Sequence, residues 1–200
     1  MLYGCCTEDN STVLKNTVFE SLITDTSGEA VALATVRKHL RLPNDSDTND
    51  LLAIYTNTAR LSIEKETGFS LLNETWELAI DEQPSSNQIL LRQSPLVSVT
   101  HIKSYDSSDT ESTFSSSKYT VDTVAGRVFL NDAESWPDSL RQHRSLVITY
   151  VAGHSAESDI PFPIRQALLL YTGELWENRE DAGIPPQVRA LINQYKTNWM

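Results

Sequence analysis

Residues suited to cross-linking or to crossing a membrane are scarce in this sequence. Its 200 residues include only two cysteines, and no apolar run approaches the roughly 18 residues of a membrane helix. Cys5 and Cys6 are adjacent, and a disulfide between neighbours is strained, so free thiols in a reducing compartment are predicted. The opening stretch MLYGCCTEDN lacks the basic and apolar segments of a secretory signal. We therefore expect a soluble chain that stays where it is made and has no membrane partner.

Positive charge is also in short supply. The sequence has 16 Lys and Arg residues and 27 Asp and Glu residues, which gives a formal net charge of −11. Such a surface is a poor match for DNA phosphates, so general nucleic-acid binding is not expected, although DNA can pass nearby without adhering. The densest basic stretch is VRKHLR (Val36–Arg41), which we interpret as the wet side of an amphipathic helix.

Catalytic and metal-binding motifs are missing from the sequence. There is no glycine-rich phosphate loop, and VAGHSAES lacks the second glycine of a nucleophile elbow. Carboxylate pairs such as Glu64 with Glu66 are interpreted as solvated. Four histidines fall in different predicted elements without a second ligand at metal spacing: His39, His101, His143 and His154. We predict no enzyme activity, no cofactor and no metal.

The order of hydrophobic patterns predicts an α+β fold. Helical spacing in VALATVRKHLRL and from Asp47 to Thr67 indicates two N-terminal helices, with Gly68 as the residue that ends the second. Short Val-, Ile-, Tyr- and Thr-rich runs from Thr75 to Gly153 indicate antiparallel strands. Helical spacing returns after Gly153 and indicates two C-terminal helices. The predicted inner stripe of the second helix comprises Leu51, Ile54, Tyr55, Thr58, Ser62 and Ile63.

We expect the two outer helix pairs to form one small bundle, because two helices alone rarely make a stable core. The antiparallel β module is then an insertion between them. The segments are an N-terminal arm over 1–28, the first half of the bundle over 29–68, the β module over 69–153, and the second half with a C-terminal tail over 154–200. The arm is predicted to be extended, with room for one short element.

The helix that begins near Pro161 carries more apolar side chains than one buried face needs. Ile164, Ala167, Leu168, Tyr171 and Leu175 form one stripe, and Leu169, Gly173 and Trp176 form a second. Contacts within the chain or a neighbouring subunit are the two ways to cover the second stripe. We predict that this helix packs against the one over Asp47–Thr67.

The ordered segments resemble the head–tail connector (adaptor, or head-completion) proteins of tailed bacteriophages, in the branch with a β insertion. The resemblance runs from about Glu29 to Tyr195. It rests on VALATVRKHLRL, DLLAIYTNTARLSIEKETGFSLL, ETWELAID, LRQSPLVSVTHIKSY and VITYVAGHS, and above all on DIPFPIRQALLLYTGELWENRE.

This resemblance implies a structural role in the virion neck, between head and tail, after assembly in the bacterial host cytoplasm. Such proteins form a ring, expected to be a dodecamer, beneath the portal protein. The ring extends the DNA channel without binding DNA specifically and docks the stopper or tail-completion protein.

The resemblance and the residue patterns together predict three sets of site residues. The expected portal contacts are Tyr195, Trp199 and Met200. The expected subunit interface comprises Leu169, Gly173, Trp176 and Arg179. The expected channel-lining acids are Asp47, Asp50, Glu177 and Glu180.

Two other classes of function remain open at this point. A carbohydrate- or protein-binding accessory module of a virion predicts aromatic side chains clustered on an exposed β face, with Trp76, Tyr105, Tyr119 and Trp136 as candidates. A hydrolase hidden among the carboxylates predicts a cleft with strongly perturbed pKa values.

Overall fold

The computed structural model of the chain describes residues 18–24, 28–43, 47–178 and 183–196. Within these ranges it has four α-helices, which are α1 (Leu33–Leu40), α2 (Asn49–Thr67), α3 (Phe162–Glu177) and α4 (Pro186–Ile192). None of them combines the length and apolar character that a transmembrane span requires. The predicted pairs of helices on either side of a β module are therefore confirmed.

Helix α2 ends where the sequence predicts. Gly68 follows it with φ of 69°, in the left-handed region, and its backbone N–H donates to the carbonyl of Glu64 at 2.8 Å. Glycine adopts this conformation without the steric penalty of a Cβ atom, which explains the position of the stop.

The predicted inner stripe of α2 is mostly wrong. The buried residues are Leu52, Thr56, Ala59, Arg60, Ile63, Glu64 and Thr67, so only Ile63 is shared with the prediction. Ile54 lies on the opposite side with 59% of its surface exposed. The error arose because apolar residues were assumed to face inward, whereas this helix buries two charged side chains and leaves aliphatic ones outside.

Helix α3 buries the first predicted stripe and packs against α2, as expected. Ile164, Ala167, Leu168, Tyr171 and Leu175 are all buried in the helical core. The rings of Tyr55 in α2 and Trp176 in α3 meet edge to face, with centroids 6.1 Å apart. An early residue of α2 therefore lies beside a late residue of α3. Phe69, just after α2, lies beside His154, upstream of α3, with ring centroids 5.3 Å apart, so the two helices are antiparallel.

The β module contains two antiparallel sheets. The strands are β1 (Val18–Thr24), β2 (Glu74–Ile80), β3 (Gln88–Leu90), β4 (Leu96–Tyr105), β5 (Glu111–Phe114), β6 (Tyr119–Asp122), β7 (Arg127–Leu130) and β8 (Leu146–Ala152). One sheet has the order β1-β2-β8-β4-β5, and the other has the order β3-β7-β6. The two sheets share a core that includes Leu78 and Ile148 of the larger sheet and Val128 and Leu130 of the smaller sheet.

Two strands, β1 and β5, form the edges of the five-stranded sheet. Strand β1 belongs to the predicted N-terminal arm but pairs antiparallel with β2, from Val18 opposite Ile80 to Thr24 opposite Thr75. Strand β5 lies in the polar stretch DSSDTESTFSSS and pairs with β4. Both are edge strands, so each is hydrogen-bonded to a neighbouring strand on one side only.

A close backbone crossing joins the β module to the bundle. A Cβ atom on Gly153, just after β8, would lie 1.9 Å from the carbonyl oxygen of Leu72, and Gly153 has φ of 123°. Only glycine fits this crossing. The backbone of Ser70 also donates to the carbonyl of Ser94 at 2.8 Å. These contacts fix where the β module leaves the helices.

Candidate assembly surfaces

Acidic residues predicted to line a channel meet at one end of the helix pair. Asp47 and Asp50 are exposed at the start of α2, and Glu177 is exposed at the end of α3. The two ends adjoin because α2 and α3 are antiparallel and touch through Tyr55 and Trp176. The fourth candidate, Glu180, lies outside the described residues.

The second apolar stripe of α3 is covered partly by its own chain. Leu169 and Trp176 are partly buried against the helical core. A Cβ atom on Gly173 would lie 3.3 Å from Leu40, so α1 packs closely over this part of α3. Arg179 lies outside the described residues. The stripe therefore keeps only part of its surface for a neighbouring subunit.

An exposed row on α2 was missed by the sequence analysis. Ile54 and Leu61 expose 59% and 47% of their surface, and Thr58 and Lys65 are exposed beside them. Residues spaced by three or four positions lie on one face of a helix, so these four form a continuous line. Helical spacing indicated such a row, but the predicted inner stripe places Ile54 and Thr58 in the core.

The C-terminal portal candidate Tyr195 packs on its own chain. Its ring lies 5.7 Å from the ring of Phe69, which in turn lies 5.3 Å from the ring of His154. Tyr195 is partly buried as a result. The other two candidates, Trp199 and Met200, lie outside the described residues.

A buried charge cluster connects α2 to the β module. Arg60 contacts both Glu64 and Glu74, and at most 7% of each side chain is exposed. Glu64 also accepts a hydrogen bond from the backbone of Leu71 at 2.8 Å. Burial raises the pKa of Glu64 to about 7, the Arg60 guanidinium opposes this rise, and Glu74 adds to it. The predicted solvated role for Glu64 is thus wrong, because one cation serves two buried carboxylates.

A second polar group anchors β1 on its sheet. The Tyr150 hydroxyl donates to one carboxylate oxygen of Glu20, and the Gln93 side chain donates to the other at 3.4 Å. Burial raises the pKa of the Glu20 carboxyl above its ordinary value, while these hydrogen bonds oppose the rise. Elsewhere on β1, Phe19 and Ile23 are about half exposed. The strand is held by one polar anchor and its ladder more than by its apolar side chains.

The aromatic candidates do not form an exposed β face among the described residues. Trp136 and Tyr119 are buried, with 3% and 9% exposed, and their rings pack around Phe114 inside the β module. Trp76 and Tyr105 are partly buried. The feature expected of a carbohydrate- or protein-binding module is therefore missing from this part of the chain. The described ranges also hold no group of three His, Cys, Asp or Glu residues arranged for a metal ion.

A family model for phage gp6-like head-tail connector proteins matches residues 31–144, which is more than half of the chain. The chain belongs to the phage gp6-like head-tail connector family. The match begins just before α1, spans the charge cluster and ends before β8. This membership gives the protein a structural connector role in a phage-type virion.

Solved structures of gene transfer agent (GTA) particles contain chains with a similar fold. A chain in the neck of an empty GTA particle, computed with C6 symmetry, has a TM-score of 0.77 and 25% identity over 91% of this chain and 97% of that chain. A chain in the neck of a native GTA particle, computed with C12 symmetry, has a TM-score of 0.74 and 23% identity over 91% and 97%. A search of curated proteins finds no significant match.

Proposed function

We propose that the chain forms a homo-oligomeric ring in the virion neck, beneath the portal protein, that extends the DNA channel and docks the stopper or tail-completion protein. The observation that carries this proposal is the match to a GTA neck chain over 97% of its length, combined with family membership. C6 and C12 symmetry in those necks favours a ring of about twelve copies. Assembly takes place in the cytoplasm of the bacterial host.

Adding purified full-length protein to DNA-filled heads that lack a connector tests this role. We expect a ring at the portal vertex by electron microscopy, and retention of the packaged DNA once the stopper is also supplied. Heads that bind no protein, or protein found along the tail tube instead, would contradict the proposal.

The acidic end of the helix pair is proposed to face the channel. Asp47, Asp50 and Glu177 all expose their carboxylates there, and Glu180 follows in sequence. Like charge repels the phosphate backbone, so passing DNA does not adhere. The partly exposed Leu169, Gly173 and Trp176, with Arg179, are proposed to lie near the neighbouring subunit.

The channel proposal predicts a gain of DNA binding when its charge is reversed. Asp50→Lys combined with Glu177→Lys should retard duplex DNA in a gel at low salt, while the unchanged protein should not. The matched control reverses two exposed acids in β-module loops, Asp132→Lys with Asp138→Lys. Both double variants are assayed as assembled rings. If they retard duplex DNA equally, the first pair has no special position.

The C-terminal residues are proposed to contact the portal, and the acidic loops of the β module then point toward the tail. Because Tyr195 packs on Phe69, a truncation that removes it would also disturb the bundle. The sharper test is truncation after Lys196, which removes Trp199 and Met200 but leaves that ring contact. We expect unchanged melting and at least about tenfold weaker attachment to heads. Normal attachment would refute this orientation.

A further inference from the structure

Two exposed helix rows carry similar patterns. The α2 row is Ile54, Thr58, Leu61 and Lys65. The α3 row is Phe162, Gln166 and Leu170, of which Phe162 is 79% exposed, Gln166 is exposed and Leu170 is partly buried. Each row places a polar side chain between two apolar ones. The apolar residues are seven positions apart on α2 and eight on α3, about 10.5 and 12 Å along the helix axes.

The two rows lie on opposite sides of the helix pair. Helices α2 and α3 pack against each other through their buried faces, and each row lies on the face that is turned away from that contact. A heterologous ring needs two different, complementary faces on roughly opposite sides of each subunit. Rows on α2 and α3 meet this requirement.

Ring geometry also fixes the relative direction of the helices. In a ring of about twelve copies each subunit is turned by only about 30° relative to the next, so α3 of a neighbour keeps nearly the direction of α3 in the first copy. Within one chain α2 and α3 are antiparallel. A contact between α2 and the neighbour's α3 is therefore antiparallel as well.

Resting on the proposed ring, we infer that the α2 row of one copy docks on the α3 row of the next copy. Antiparallel alignment places Ile54 opposite Leu170, Thr58 opposite Gln166, and Leu61 opposite Phe162. Phe162 is held in place for this contact, because the Arg165 guanidinium stacks on its ring at 4.4 Å.

Charge complementarity supports this direction at one end of the contact. Lys65 lies one helical turn beyond Leu61, and the exposed carboxylate of Asp159 lies three residues before Phe162. The alignment brings Lys65 of one copy toward Asp159 of the next. At the other end Asp50, which is proposed to face the channel, approaches the partly buried Glu174, so like charges meet there. The contact has an apolar pair on each side of Thr58 and Gln166 and an attractive charge pair at the end far from the channel.

Cysteine cross-linking tests the inferred pairing. In a full-length chain with Cys5→Ser and Cys6→Ser, we introduce Leu61→Cys and Phe162→Cys and add a short bismaleimide after attachment to heads. Both substituted side chains are exposed, so folding should be unaffected. We expect a ladder of covalent multimers from the double variant and none from either single variant, because a heterologous contact joins residue 61 only to residue 162.

The outcomes separate this inference from the proposed function. If the unchanged protein does not attach to heads, the proposed function fails. If it attaches and the double-cysteine chain gives no ladder, the pairing is overturned while the connector role stands. Dimers from the Leu61→Cys variant alone would also overturn it, since they indicate a two-fold contact.

A charged substitution in the α2 row tests the inference independently if the double-cysteine variant fails to attach to heads. Ile54→Asp should reduce the number of copies per head about tenfold, because a carboxylate placed against Leu170 of the neighbouring copy is desolvated. Val124→Asp is the matched control, since Val124 is 98% exposed on a β-module turn. Equal copy numbers for the two variants, with equal melting temperatures, would overturn the inference.

Discussion

The buried charge cluster makes the stability of the protein depend on pH, and Glu64→Gln should remove that dependence. Two carboxylates, Glu64 and Glu74, both contact the guanidinium of Arg60 in a nearly solvent-free site. When both are ionised the cluster carries one excess negative charge. A proton on Glu64 neutralises it, and a glutamine amide imitates that protonated form at every pH.

The magnitude follows from the pKa of Glu64, which burial raises from its ordinary value of 4.5 to about 7. A carboxyl with a raised pKa contributes stability that is fully present below about pH 4.5 and is lost as the pH rises through about 7. At 1.36 kcal/mol per pH unit, this group removes roughly 3 kcal/mol of unfolding free energy across that window.

Urea unfolding at several pH values between about 5 and 8 measures the free energy of unfolding of the Glu64→Gln variant and of the unchanged chain. The free energy of the Glu64→Gln variant minus that of the unchanged chain should rise by about 2–3 kcal/mol over this range, because titrating groups outside the charge cluster cancel. The neighbouring variant Ile63→Val is the control. It should lose about 1 kcal/mol at every pH, since it removes only a buried methylene. A Glu64→Gln difference that stays constant within about 0.5 kcal/mol would refute the reasoning.

Three further substitutions probe the packing. Trp176→Ala should lower the unfolding free energy by about 2–3 kcal/mol, less than for a fully buried tryptophan, and a loss below about 0.5 kcal/mol would contradict its contact with Tyr55. Gly153→Ala should destabilise by about 4 kcal/mol or more, seen as insoluble or low-melting protein, because its Cβ meets the Leu72 carbonyl. Tyr150→Phe leaves Glu20 with one side-chain donor; we expect a loss of about 1–3 kcal/mol and faster hydrogen exchange in β1, and unchanged exchange would disprove that anchor.

Element type and order could be predicted from the sequence, because they follow from local periodicity. The run LVSVTHIKSY, inside the interval predicted to form antiparallel strands, coincides with β4, and Gly68 ends α2 where its missing Cβ allows a positive φ. The buried stripe of α3 is likewise correct, since five apolar residues at helical spacing leave one way to face a core.

Burial on α2 could not be predicted in the same way. Its apolar and polar residues are both helically spaced. Contacts with later segments, Glu74 on β2 and the backbone of Leu71, explain why Arg60 and Glu64 face inward. The Arg60–Glu64 spacing of four residues indicates an ion pair, but spacing alone does not distinguish a solvent-exposed ion pair from a buried one.

The sequence by itself determined the elements, their order, the acidic character and, through resemblance, the connector family. Only the tertiary structure decided that Asp50 and Glu177 share one end of the bundle, that α1 covers part of the second α3 stripe, and that Ile54 and Leu61 remain exposed on α2. The physical reason is that periodicity specifies which residues share a face, whereas the surroundings of that face are set by segments far away in the chain.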